Sequence, residues 1–342
     1  MHIPENYLSP ITCGVMTAAM APVWVHSVKK VAKELPKEKI ALIGVGAAFS
    51  FVGMMFNVPL PGGTTGHATG GMLIAAVLGP EAACLAMSAA LLLQALLFGD
   101  GGILSFGANC FNMAFVLPYF GYFIYQLILK LLAKKQEATS AQRVIASGIG
   151  AYAAINAAAL CAAIEFGVQP YLFKDAAGQA LYCPYGLDVA IPSMMIGHLT
   201  LFGIAEVVFT TAILAYILKT APGAVKNETA DDAGKKKGIT AISILLAALI
   251  VLVPLGLLAE GTAWGEWGTD EIAEIETNGV ALGYTPAGME NGFSMEALIP
   301  DYAINGLPDI AGYIVSAIIG VAVMVILFRL AGAAFNGKKQ KA

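Results

Sequence analysis

The sequence has little charge. Asp, Glu, Lys and Arg make up 12% of its 342 residues, against 58% apolar residues and a mean hydropathy of +0.75. Soluble domains carry about a quarter charged residues, so a water-soluble globular chain is excluded. Cysteine is scarce too: Cys13, Cys84, Cys110, Cys161 and Cys183, with no CxxC spacing. Four of them fall in apolar blocks and read as small buried groups, which argues against a disulfide framework or a zinc site. There is no GxSxG, HExxH, phosphate-loop lysine motif or dinucleotide fingerprint, so nothing points to an enzyme. No basic patch suits nucleic acid. No Lys or Arg precedes Lys29, so the basic start that a leader needs is missing. The first apolar block is therefore expected to be a retained helix, not a leader, and Met1 to survive in front of the bulky His2.

What the chain has is long apolar blocks. Spans are predicted at 10–28, 40–57, 68–80, 81–99, 106–133, 141–166, 188–219, 239–259 and 308–331, most of them near the roughly 20 residues a helix needs to cross a bilayer. The fold class is all-α: a polytopic membrane bundle of about nine spans. The blocks 68–80 and 81–99 are parted only by Gly79-Pro80-Glu81. They read as a tight hairpin or a re-entrant piece, which would lower the count to seven. With the amino terminus outside and the spans alternating, eighteen of the nineteen Lys and Arg fall on inner segments, and only Lys174 is left outside. That asymmetry sets the orientation. A polar linker at 221–238 divides a seven-span body, 1–220, from a two-span appendix, 239–342. The appendix carries an outer loop with ten acids from Glu260 to Asp309 and no Lys or Arg.

The orientation puts His2 and His67 on one face. A metal bound by the Met1 amine can close a five-membered ring through the backbone nitrogen of His2, then a six-membered ring through the His2 Nδ1 atom. A fourth nitrogen from His67 completes a square plane. Such a donor set suits Ni²⁺ and Cu²⁺, with Co²⁺ conceivable, whereas Mg²⁺ and Ca²⁺ want oxygens. His67 ends the stretch Pro61-Gly62-Gly63-Thr64-Thr65-Gly66-His67, a glycine-rich turn that allows close backbone approach. Its plainer alternative is an interfacial or capping histidine, and a histidine at position 2 can be accidental. Neutral imidazole is required, so binding is expected to fail below about pH 6. Asp100, Asn109 and Asn112 lie near the same face and are candidates to orient a ligand imidazole or the amino-terminal loop, or simply to cap helices. His198 and Glu206 share a span and form either an ion path or a satisfied helix contact. The acidic outer loop is expected to concentrate cations, not to form the site.

Met1-His2-Ile3-Pro4 with Leu8-Ser9-Pro10, the stretch from Pro61 to His67, Phe98-Gly99-Asp100-Gly101-Gly102, and Gly107-Ala108-Asn109 with Asn112-Met113 resemble the CbiM/NikM family. Its members are substrate-capture membrane subunits of energy-coupling-factor transporters for cobalt and nickel. Glu5-Asn6-Tyr7 departs from the family's usual Asp-Gly-Phe. The resemblance covers roughly residues 1–220 and implies the ligands Met1, His2 and His67. It also implies a cell-membrane location, Ni²⁺ or Co²⁺ as cargo with no resident cofactor, and a complex with a membrane coupling subunit and cytosolic ATPase subunits. Residues 239–331, with Trp264-Gly265-Glu266-Trp267-Gly268 and Pro300-Asp301-Tyr302-Ala303, are similar to a fused NikN/PDGLE-like module, although no PDGLE string occurs. The rival readings are a membrane-embedded enzyme built on His198 and Glu206, and a structural membrane scaffold.

Overall fold

A computed structural model describes residues 1–60, 64–134, 136–226, 228, 231–259, 261–277 and 279–337. Pro61-Gly62-Gly63 of the glycine turn, Glu260, and Lys135, Lys338, Lys339 and Lys341 of the charge pattern lie outside the described residues. Helix α1 is Pro10–Glu34, started by Ser9, whose Oγ accepts from the Thr12 amide at 3.1 Å, and by Pro10 in its first turn. Helix α2, Lys37–Met54, leads into an antiparallel hairpin, β1 Asn57–Leu60 and β2 Thr64–His67, with Asn57 opposite His67. The expected glycine turn is thus the two arms of a ribbon, a small departure from an all-helical chain.

Helix α3 spans only Gly71–Leu78. Eight residues rise about 12 Å, too little for a bilayer core of about 30 Å, so the expected span at 68–80 is a short helix. It folds back on α4, Pro80–Leu93, through Gly79 alone. Helices α5, Phe106–Cys110, and α6, Leu117–Ala133, are joined by a π-helical turn over Phe111–Val116. Helix α7, Ser140–Leu172, is the central post and opens with a Thr139/Gln142 capping box. Buried alanines along it, among them Ala151, Ala154, Ala158 and Ala162, let α6, α8 and α9 approach closely. Helix α8, Leu187–Gly197, runs through a π-helical turn over His198–Phe202 into α9, Gly203–Thr220.

Helix α10 is Asp232–Leu252, with its first turn closed by the Asp231 carboxylate on the Gly234 amide at 2.8 Å. The lysine run 235–237 therefore lies on the helix, and the polar linker is shorter than its composition suggested, since Asp231 can satisfy a free amide that otherwise stops a helix. After it come a short ribbon, β3 Glu276–Thr277 and β4 Val280–Ala281, the single turn α11, Ala287–Glu290, and α12, Asp309–Gly337. Helix α12 packs along α2, so the appendix is built into the body and does not stand apart from it. Seven helical stretches among the described residues are long and apolar enough to cross a membrane, and α2 is a shorter apolar helix. The chain is a multi-pass membrane protein.

At one end of the bundle the amino-terminal loop meets the 99–105, 173–186 and 261–308 loops. At the other end, Lys39 donates to the carbonyls of Val225, Lys226 and Glu228, Lys226 pairs with Glu34 at 3.0 Å, and Arg143 pairs with Glu228 at 3.2 Å.

Candidate metal centre

The amino-terminal segment is threaded into the bundle. The Ile3 amide donates to Asn109 Oδ1 at 2.8 Å, and Asn109 Nδ2 returns a bond to the Ile3 carbonyl at 3.0 Å. The same carbonyl accepts from the Gly102 amide at 2.9 Å. Further along, Glu5 accepts from the Ile103 amide at 2.7 Å, Cys183 donates its amide to the Tyr7 carbonyl at 3.0 Å, and the Ser9 amide donates to Gln169 Oε1 at 3.0 Å. Gly102 is needed there: a Cβ on it would stand 2.7 Å from the Glu5 backbone. Asn6, at φ +63°, turns the loop and exchanges two hydrogen bonds with Phe293.

This threading brings His2 to His67. Nδ1 of His2 lies 3.2 Å from Nε2 of His67, with ring centroids 5.0 Å apart. Both residues are buried, His2 at 2% exposure and His67 at 9%. His67 Nδ1 faces the Ala68 carbonyl at 3.3 Å. A proton on Nδ1 leaves the Nε2 lone pair aimed at His2. Two imidazole nitrogens on adjacent corners of a square plane, with bonds of about 2.0 Å, stand about 2.8 Å apart, close to the separation found here. Among the described residues no cluster of three or more His, Cys, Asp or Glu side chains has metal-binding spacing. The Met1 amine and the His2 backbone nitrogen adjoin this pair as further nitrogen donors.

Burial, then the neighbouring His2 and the positive amino terminus, holds the His67 imidazole well below its ordinary value. Lowering favours the neutral imidazole, so His67 takes up a proton only on the acid side of its ordinary range.

Asp100 does reach the His2 imidazole, but at the nitrogen that faces His67, with Oδ1 3.1 Å from His2 Nδ1. Its other oxygen accepts from Gln94 Nε2 at 2.9 Å and from the Tyr302 hydroxyl at 2.6 Å. Burial and then the Asp100 charge push the Tyr302 phenol well above its usual range, so it stays a donor. Asn109 bonds the amino-terminal loop at Ile3. Asn112 does neither expected job: its amide donates to Glu165 at 2.8 Å, one turn below Asn109 and outside the cavity at the site. A π-helical turn begins at Phe111 and re-aims the following side chains, which helical spacing alone could not foresee.

Glu266 was missed. Its Oε1 lies 3.2 Å from the Met1 amine, so one acid of the acidic loop borders the site. The signal in the sequence was its place between two tryptophans: Trp264 donates its amide to Thr64 Oγ1 at 2.8 Å, and the Trp267 carbonyl accepts from Tyr7 at 2.8 Å. An open cavity of about 410 Å³ lies over Met1, His2, His67, Asp100 and Glu266. His198 and Glu206 do not form a pair: His198 Nδ1 bonds the Met194 carbonyl at 2.7 Å, while Glu206 accepts from Thr69 and Gly70.

The model of the CbiM family, described as a cobalt uptake substrate-specific transmembrane region, matches residues 2–224, and that of the PDGLE domain matches 239–337. The chain is 48% identical over 331 residues to the probable fused nickel transport protein LarMN of Lactiplantibacillus plantarum, covering 96% of this chain and 97% of the relative. It is 46% identical to the fused nickel transport protein NikMN of Rhodobacter capsulatus, with 95% of each chain covered. A crystal structure of a truncated transition metal transporter, 55% identical, superposes with a TM-score of 0.59 over 64% of this chain and 99% of the other.

Proposed function

We propose that this chain, which belongs to the CbiM cobalt-uptake family and carries a PDGLE domain behind it, captures Ni²⁺ or Co²⁺ at the amino-terminal end of its bundle and releases it inward as the substrate-specific part of an energy-coupling-factor transporter. It is a transport protein, not an enzyme. The ion is cargo, held by the Met1 amine, the His2 backbone nitrogen and Nδ1, and His67 Nε2. The observation that carries this reading is the pair of imidazole nitrogens facing each other at 3.2 Å beside a free amine. Nickel is favoured over cobalt, because LarMN and NikMN, which match the two domains together, are named for nickel and a square plane of nitrogens suits Ni²⁺.

Residues 1–220 form the capture domain, 221–238 a cytoplasmic segment made of a short linker and the first turns of α10, and 239–342 the rest of the appended module. The amino terminus faces outward across the cell membrane, as the basic residues argue. No nucleotide motif occurs in the chain, so cytosolic ATPase subunits and a membrane coupling subunit supply the energy. They would meet the inner end, where Lys39, Lys226 and Arg143 hold the linker against the helix ends.

Metal analysis of the full chain, purified with its native amino end and a carboxy-terminal tag, tests the proposal. One Ni²⁺ or Co²⁺ per chain is expected. A protein that took up neither ion would end this reading and favour the structural scaffold. The rival enzyme is disfavoured because His198 and Glu206 are each committed to different backbone partners.

A further inference from the structure

We infer that Glu206 is the positioning residue of His67: its carboxylate seats the backbone N–H groups of Thr69 and Gly70 and so fixes the loop from which the His67 imidazole projects. This rests on the proposed metal centre. Glu206 is fully buried in the first turn of α9. A carboxylate inside a membrane bundle is costly unless its oxygens are satisfied. Here Oε2 accepts from the Thr69 amide at 2.5 Å, the Gly70 amide at 3.2 Å and the Thr69 hydroxyl at 3.2 Å, and Oε1 accepts from Thr210 at 3.5 Å. Three of these four bonds come from residues two and three positions beyond His67, and none from the free amides that open α9.

The loop is shaped to offer them. Gly70 has φ +70°, a conformation that turns consecutive N–H groups toward one anion. A Cβ on Gly70 would stand 2.9 Å from the Phe209 ring, which α9 carries one turn after Glu206. One residue before His67, a Cβ on Gly66 would stand 2.7 Å from the ring of Phe202, just ahead of α9. The Thr69 carbonyl is taken by Ser50 Oγ of α2 at 2.5 Å. The start of α9 thus grips the chain on both sides of His67. Glu206 spends its described bonds on that grip and on Thr210, and sets the direction of Nε2 without touching the metal.

The test compares Ni²⁺ affinity and the d–d absorption of Ni²⁺, with Cu²⁺ paramagnetic resonance to count bound nitrogens, in the full-length parent, His67→Ala, Glu206→Met and Glu206→Gln. Methionine keeps the volume and removes the acceptors; glutamine keeps one acceptor. Glu206→Met is expected to lose 10–100-fold in affinity, the usual effect of losing a partner that orients a ligand. Its spectrum should match that of His67→Ala, with three nitrogens left from Met1 and His2, while Glu206→Gln stays near the parent. If Glu206→Met does not accumulate, Gly70→Ala disturbs the same pair of N–H groups and should give the same three-nitrogen signature. A four-nitrogen spectrum and parental affinity in Glu206→Met, or in Gly70→Ala, would overturn the role of Glu206 while leaving the metal centre standing. A parent without a four-nitrogen spectrum would remove both.

Discussion

The amine of Met1 lies 3.2 Å from Glu266 Oε1, although 265 positions separate the two in the chain. The proposed metal ligands and the appended module are therefore in direct contact. Tyr302, from the same module, holds Asp100 beside His2, and all three line the same cavity as Met1 and Glu266. The module thus supplies part of the wall around the amino end, in addition to the two helices that follow the linker.

That contact separates the acids of the outer loop. Glu271 serves the loop's own shape, accepting from the Gly268 amide at 3.2 Å, whereas Glu266 reaches the site. Glu266→Gln alone is expected to slow Ni²⁺ capture at low salt by up to roughly tenfold, the lower range for electrostatic guidance of a charged substrate, with the difference shrinking as salt screens the field. Asp270→Asn should change little. Stopped-flow capture rates at two ionic strengths check this, and equal rates for Glu266→Gln and parent at low salt would leave the carboxylate without a role in capture.

An extension ahead of Met1 should abolish uptake. Met1 is 6% exposed and its amine is enclosed beside Glu266, and a preceding residue replaces that amine with an amide. A tag after Ala342 is the control. One glycine placed before Met1 makes the histidine third in line, where amine, two backbone nitrogens and imidazole bind Ni²⁺ unaided. This form should bind metal without His67 and transport poorly. Transport assays at matched protein levels decide, and normal uptake with an intact upstream tag would rule out the amino-terminal site.

His67→Ala should insert normally and lose at least as much Ni²⁺ affinity as Glu206→Met, since both leave the same three nitrogens. In the parent, a lowered His67 value means the proton competes with metal only once the pH falls below the ordinary range near 6.5. Binding assigned to His67 is therefore fully present at neutral pH and fades on the acid side of that range. Ni²⁺ titrations of the parent and His67→Ala at about pH 7.5 and about pH 6, on either side of the reference value, isolate the contribution of His67: the affinity difference between the two proteins should persist through the ordinary histidine range. Its loss at or above that range would contradict the burial argument.

Gly102→Ala should weaken metal binding without touching a ligand. The added Cβ would meet the Glu5 backbone at 2.7 Å, so the amino-terminal segment must shift, at a typical overpacking cost of 1–3 kcal/mol, or roughly 5- to 150-fold in affinity. Gly14→Ala on α1, where nothing lies within 4 Å, should be silent. Calorimetric Ni²⁺ titration of the two variants makes the comparison, and parental affinity in Gly102→Ala would mean the segment has slack.

Apolar length and the distribution of Lys and Arg were enough to read a polytopic helical bundle, because a bilayer demands unbroken helices whose apolar runs are visible in one dimension. His2 and His67 were legible as partners for a similar reason: nitrogen chemistry close to a chain end is a local property, and the glycine-rich stretch marks a backbone held tightly. The rest was decided by packing. That 68–80 forms an eight-residue helix depends on Gly79 folding it onto α4. That Asn112 serves Glu165 follows from a π-helical turn that shifts side chains off helical spacing. Glu266 comes to the Met1 amine from 265 residues away and Tyr302 to Asp100 from 202, and Glu206 grips the His67 loop from another helix. Such contacts depend on how α12 lies along α2 and α9 beneath the hairpin, and no spacing in the sequence encodes the distance between two segments that meet only after the bundle has closed.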